Sequence, residues 1–203
     1  MKKILILIAV ILVVGCQNKK EEVKSCCSTN KSLIAAQETV LLPDNSVYNL
    51  DRKWQNQNGE KVSLAKLSGS PVIMTMIFTH CEYACPMMVN DLKKIEASFS
   101  EVERDRFRFV LVSFDDQRDT PKRLKDYAEV QNLGKNWILL HGDAEQVKEL
   151  SVILQISYNK LEDGSFSHAN RKLVLDQNGI IVFGQDGLQA NSWPVVGAIR
   201  NVF

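Results

Sequence analysis

Pro71-Val-Ile-Met-Thr-Met-Ile-Phe78, running directly into Thr79-His80-Cys81-Glu-Tyr-Ala-Cys85-Pro86, is the stretch on which the fold turns. Its first half is uncharged and rich in β-branched and large apolar side chains, which predicts a buried central strand. Pro86 suits the first turn of a helix. From Met87 to Phe99, apolar residues recur at Met88, Leu92, Ile95 and Phe99, a helical spacing. Two thiols therefore stand where a strand hands over to a helix, four residues apart, so one helical turn brings both sulfurs to one side. Unpaired N–H groups at a helix start favour the thiolate. Converging thiolates either hold a soft metal ion or cycle with a disulfide.

Outward from this junction the chain alternates. Val47–Leu50, an Asn58-Gly59 turn and Lys61–Leu64 read as a short opening hairpin. Leu67-Ser-Gly69 turns into the central strand. The helix after Cys85 is expected to end near Glu101–Arg106. Phe107–Phe114 is the next strong strand. Thr120-Pro121 pairs an N-cap with a first-turn proline and opens a helix that aligns Leu124, Tyr127 and Ala128. Trp137–Leu140 reads as a strand and Ala144–Leu154 as a helix. Ser157–Lys160 and Arg171–Leu175 read as strands, and Asn178-Gly179 turns the latter into Ile180–Phe183. A closing helix follows Ser192. The order predicts an α/β thioredoxin-like fold: a central mixed sheet flanked by helices, with an N-terminal hairpin extension.

The 203 residues are 45% hydrophobic and 24% charged, ordinary for one globular domain with a short extra segment. Lys2 and Lys3, an apolar run from Ile4 to Val14, and Gly15-Cys16 resemble a bacterial lipoprotein signal, with Cys16 as the lipidated residue and residues 1–15 removed. The apolar run is too short to span a bilayer comfortably. Removing Lys2 and Lys3 changes the net charge from +1 to −1, and no basic patch points to nucleic acid. Residues 16–39 are rich in Lys, Glu, Ser and Asn and read as a flexible tether. Residues 40–203 form the domain. This reading places the protein outside the cytoplasm, lipid-anchored to a bacterial membrane. Cys26-Cys27 lies in the tether, where nothing positions the pair, and reads as exposed thiols.

Three histidines accompany the five cysteines. His168 precedes the Arg171–Leu175 strand. In a thioredoxin-like sheet the loop before that strand faces the thiols, so His168 either completes a set with Cys81 and Cys85 or is a surface histidine. His80 is expected to pack or hydrogen-bond locally, and His141 to be structural. Two thiolates suit Cu(I) and an added imidazole suits Cu(II), while zinc accepts the same donors with a fourth ligand. The C-x-x-x-C spacing differs by one residue from the redox C-x-x-C and leans towards metal capture.

Phe78-Thr-His-Cys81-Glu-Tyr-Ala-Cys85-Pro86 resembles the cysteine motif of the Sco/SenC family of copper-binding thioredoxin-like proteins. Ser113-Phe-Asp115-Asp-Gln-Arg-Asp119-Thr-Pro121 resembles that family's Asp-x-x-x-Asp-Thr-Pro segment, and His168 falls at the family's histidine position. The resemblance covers roughly Val47 to Phe203. It implies that Cys81, Cys85 and His168 bind copper. It also implies a role towards the binuclear copper site of cytochrome c oxidase, by copper delivery or by reduction of the partner's cysteines. The partner is then the copper-site subunit of a respiratory oxidase or another cuproprotein. Many members carry Pro and Asp inside the cysteine loop, where this chain has Glu82 and Tyr83. Asp115 and Asp119 are candidates to support the site, with helix capping the expected role of Asp119.

Overall fold

The computed structural model describes residues 42–203. The readings on residues 1–39, including Cys16, Cys26 and Cys27, lie outside them. A seven-stranded mixed sheet runs β2-β1-β5-β4-β3-β8-β9. Its strands are β1 (Trp54–Asn56), β2 (Lys61–Val62), β3 (Val72–Ile77), β4 (Arg108–Ser113), β5 (Trp137–His141), β8 (Arg171–Leu175) and β9 (Ile181–Asp186). A separate two-stranded sheet pairs β6 (Tyr158–Lys160) with β7 (Phe166–His168). The helices are α1 (Ala84–Ala97), α2 (Glu101–Arg104), α3 (Pro121–Val130), α4 (Ala144–Ile153) and α5 (Trp193–Arg200). This is the expected thioredoxin-like α/β architecture. No helix among the described residues is long and apolar enough to cross a membrane.

The central strand is what the apolar run predicts. All six residues of β3 are buried. β3 pairs parallel with β4, from Val72↔Arg108 to Ile77↔Ser113, and antiparallel with β8, from Val72↔Leu175 to Met74↔Leu173. Burial on both faces removes the polar alternation that a half-exposed strand would show. Because β8 runs against β3, the residues just before Arg171 stand at the C-terminal end of β3, level with the thiols. α1 buries Cys85, Met88, Val89, Leu92 and Ile95. α3 is tied nearby: its Arg123 Nε donates to Thr79 Oγ1 (2.8 Å) in the loop before α1, and the carbonyl of Gln131, just past the end of α3, accepts from Lys93 of α1.

Two sequence expectations are corrected. Val47–Leu50 is not the first arm of the opening hairpin. Val47–Asn49 is a 3-10 turn whose Tyr48 N–H donates to the Ser46 hydroxyl, and the arm that pairs with Lys61–Val62 is Trp54–Asn56. Leu64 likewise leaves the strand for a second 3-10 turn, Leu64–Leu67. The helix after Cys85 stops at Ala97, because Ser100 begins a new one. Its side chain accepts from the Glu103 N–H, and the Glu103 carboxylate accepts from the Ser100 N–H, a capping box that starts α2.

The Ser46 turn is held on the β8–β9 turn, where the Val47 N–H donates to the Gly179 carbonyl. Gly179 has φ +79°, and a Cβ there would meet the Tyr48 ring at 2.6 Å. A Gly179→Ala change combines backbone strain with overpacking. We expect it to cost about 3 kcal/mol, read as a lower midpoint in urea unfolding.

Candidate metal centre

Cys81 lies between the end of β3 and α1, and Cys85 lies in the first turn of α1. The N-cap residue, Tyr83, makes no side-chain cap. The Cys81 sulfur takes that role: the Cys85 N–H donates to Cys81 Sγ at 3.3 Å. Cys85 is fully buried, and its sulfur accepts from the Phe78 N–H at 3.4 Å. The two thiols are therefore unequal. A hydrogen bond from the Cys85 thiol, with backbone N–H groups of Cys85, Tyr83 and Ala84, lowers the Cys81 pKa to about 4 against the opposing effect of burial. The same hydrogen bond, together with burial, raises that of Cys85.

The reduced pair thus carries one thiolate, on Cys81, and one thiol, on Cys85. Iodoacetamide is expected to modify Cys81 and spare Cys85 in the metal-free reduced protein. The Cys81 rate should stay flat from pH 8 to pH 6, where an ordinary thiol slows by about a hundredfold, and should collapse only as the pH falls through about 4. Peptide mass analysis after alkylation reads both outcomes.

His168 reaches the pair from across the fold. The sequence reading put it in a loop; it is instead the last residue of β7, paired with Tyr158 of β6. Its Nε2 lies 4.0 Å from Cys85 Sγ. Its Nδ1 lies 3.2 Å from the Ala169 carbonyl oxygen. A carbonyl only accepts, so Nδ1 carries the hydrogen and Nε2 turns its lone pair towards the sulfurs. The ring packs against Phe114 (centroids 4.9 Å apart) and edge-on to Phe78 (6.1 Å). Tyr158 stacks on the same Phe114. One ligand atom from each of Cys81, Cys85 and His168 lies within 4.8 Å of the others. Bonds of about 2.0–2.3 Å to one ion limit such separations to about 4.5 Å, so the three donors fit a shared ion with little movement.

The carboxylates of the Asp-x-x-x-Asp segment act differently from each other. Asp119 is fully buried. It does not cap α3, which is the task of the Thr120 hydroxyl. Instead its Oδ2 accepts from the Thr79 N–H (2.8 Å) and the Ser113 hydroxyl (2.6 Å), and its Oδ1 accepts from the Thr79 hydroxyl (2.6 Å). It thereby fixes the backbone two residues before Cys81. The capping role expected for it is wrong because its partners come from two neighbouring strand ends, not from its own helix. Asp115 is also fully buried and forms an ion pair with Arg118. His80 is exposed, with Nδ1 3.5 Å from the neighbouring Thr79 Oγ1 and 3.5 Å from Asp119 Oδ1. His80, Asp115 and Asp119 are close enough to share an ion, but protein donors already occupy the carboxylate oxygens. His141 ends β5 opposite Gln55; the parallel ladder sets it at the same edge of the sheet as the end of β3, but two strands to the side.

Sequence reasoning missed Thr79, Ser113, Arg118 and Arg123 as parts of this arrangement. Asp115 and Arg118 stand three apart, a spacing that signals a local ion pair. Thr79 and Ser113 gave no such signal, because their roles depend on the parallel pairing of β3 and β4.

Comparison with known proteins agrees with this fold. The SCO1/SenC family model matches residues 45–201. A SCO2-like protein of Rickettsia typhi is 27% identical over 183 residues, covering 87% of this chain and 86% of the relative. Among solved structures, copper-bound ScoI of Bradyrhizobium japonicum superposes with a TM-score of 0.65 at 21% identity, covering 74% of this chain and 96% of that one. BsSco, described as a member of the Sco family of cytochrome c oxidase assembly proteins and as carrying a disulfide switch, superposes with a TM-score of 0.66 at 24% identity, covering 74% and 90%. These two structures establish the shared fold. With its family match spanning nearly the whole domain, the chain belongs to the SCO1/SenC family.

Proposed function

We propose that this protein binds copper through Cys81, Cys85 and His168 and serves the assembly of the copper site of a respiratory oxidase. The convergence of His168 Nε2 on the paired sulfurs carries the reading. Two sulfurs suit Cu(I), and an imidazole whose Nδ1 is already bonded adds a borderline donor that stabilises Cu(II). Phe78 and Phe114, both buried, pack against the His168 ring. Copper bound by ScoI and oxidase assembly by BsSco's family support the extension to this chain. The domain would act outside the cytoplasm, held to a bacterial membrane by lipid on Cys16.

Copper titration of the reduced protein tests the reading. We expect one copper per chain, with His168→Ala weakening Cu(II) by more than about tenfold while leaving Cu(I) on the two sulfurs. Absence of copper uptake, or Cu(II) binding indifferent to His168, would reject it.

A second reading, an extracytoplasmic thiol–disulfide oxidoreductase that reduces a partner's copper-ligating cysteines, is favoured by the unequal thiols. A thiolate at Cys81 beside a protonated Cys85 is the arrangement in which one sulfur attacks and the other resolves. Stoichiometric reduction of a disulfide peptide by the reduced metal-free protein, leaving a Cys81–Cys85 disulfide and lost in Cys81→Ser, would favour this reading.

A further inference from the structure

The strand β7 that carries His168 belongs to a small hairpin outside the main sheet. Its position is not set by the seven-stranded ladder. Within the hairpin, the Leu161 N–H donates to Ser165 and the Gly164 N–H to Leu161, and these bonds shape the turn without fixing where it lies. Phe166 and Tyr158 pack the hairpin's apolar side on Phe78 and Phe114, and among the described residues the side chain that hydrogen-bonds its turn from outside is Arg118. Its NH2 group donates to the Gly164 carbonyl oxygen, and its Nε donates to Asp115 Oδ2. Its guanidinium also stands 6.0 Å from the centroid of the Phe166 ring, two residues from His168. Asp115 is fully buried and is itself anchored: its N–H donates to Ser113 Oγ, and its Oδ1 accepts from the Arg118 N–H. Ser113 in turn donates to Asp119, which holds Thr79. One chain of bonds therefore connects the backbone ahead of Cys81 with the hairpin ahead of His168.

We propose that Arg118 is the positioning residue that sets the imidazole of His168 against the two sulfurs, by pinning the Gly164 turn to buried Asp115. The proposal rests on the copper reading above and assigns Arg118 to the histidine half of that site alone. Cys81 and Cys85 are held by α1, Phe78 and Thr79; Arg118 bonds directly to none of these and reaches Thr79 only through Asp115, Ser113 and Asp119. A planar guanidinium spans two acceptors at once, which a lysine ammonium at the end of a flexible stem does not reproduce. Loss of the pin should therefore spare the binding mode that needs sulfur alone and weaken the one that needs the imidazole.

The test compares Arg118→Ala, Arg118→Lys and His168→Ala with the unaltered full chain. In the metal-free protein, amide hydrogen exchange at Leu161, Gly164 and Ala169 should quicken by about tenfold in Arg118→Ala, with β3 and β4 unchanged. In the copper-loaded protein, Cu(II) affinity should fall by about tenfold, and the Cu(II) absorption and paramagnetic resonance spectra should shift towards those of His168→Ala. Cu(I) affinity should stay within about twofold. Arg118→Lys should behave like Arg118→Ala. Adding Arg118→Ala to His168→Ala should cost nothing further in Cu(II) affinity, since the pin acts through a ring no longer there. Unchanged hairpin exchange, equal losses for both copper states, or additive losses in the double variant would each overturn the proposal. If the unaltered chain took up no copper, the copper reading would fall, and the exchange comparison would still decide whether Arg118 pins the hairpin.

Discussion

Exchanging Cys85 for serine is expected to cut Cu(I) affinity by more than about a hundredfold, with the fold intact. The sulfur is a soft donor that binds Cu(I) as thiolate; a serine hydroxyl is a hard oxygen that stays protonated at neutral pH. Loss of an outer partner of a metal ligand already costs about 10–100-fold, and Cys85 is proposed as a ligand itself. The variant should still fold, because serine is slightly smaller and its oxygen can take over the hydrogen bond from the Phe78 N–H. Competition against a chromophoric Cu(I) chelator gives the affinity, and thermal unfolding shows that the fold persists. Retention of Cu(I) at the unaltered affinity would mean that the buried sulfur is not a ligand.

The second large effect falls on stability. Asp119→Ala removes the acceptor of three hydrogen bonds in the interior: from the Thr79 N–H, the Thr79 hydroxyl and the Ser113 hydroxyl. Each of these donors would then be left without its charged partner where water does not reach. Bonds to a charged group contribute about 1.5–3 kcal/mol each, and a buried donor left unpaired costs about 1–3 kcal/mol. The contributions overlap, and the Thr79 and Ser113 hydroxyls can turn to other acceptors, so the sum is smaller than the parts. We expect a loss of about 4 kcal/mol, a fall of about 10 °C in Tm for a domain of this size. Asp119→Asn, which keeps the shape and one acceptor oxygen, should recover part of it. If Asp119 were only a helix cap, the loss would be about 1 kcal/mol and asparagine would restore it almost fully. Calorimetry of the two variants separates these cases.

The contrast between these residues shows what a sequence displays and what it hides. The strand–helix junction at Cys81 and Cys85 was legible because its causes are local: an uncharged β-branched run, then a proline and a helical apolar spacing. The order of strands and helices was legible for the same reason. Asp119 was misread because Thr120-Pro121 is a strong local helix start, and an acidic residue beside it looks like part of the cap. Its actual partner Thr79 lies forty residues earlier and arrives only when β3 and β4 align. β7 was hidden because Phe166-Ser-His168 is short and mixed in polarity, and its pairing partner β6 is equally short. Val47–Asn49 looked like a strand from its apolar content, but Ser46 turns the chain there by accepting from the Tyr48 N–H. Arg118 went unnoticed because what it holds, the Gly164 carbonyl, is a backbone atom and leaves no mark on the sequence.

X-ray absorption at the copper edge of the Cu(II)-loaded protein tests the central claim most directly. The account predicts two sulfur neighbours and an imidazole, with the imidazole lost in His168→Ala and one sulfur lost in Cys85→Ser. A shell of oxygen and nitrogen alone, or an imidazole that survives removal of His168, would contradict it.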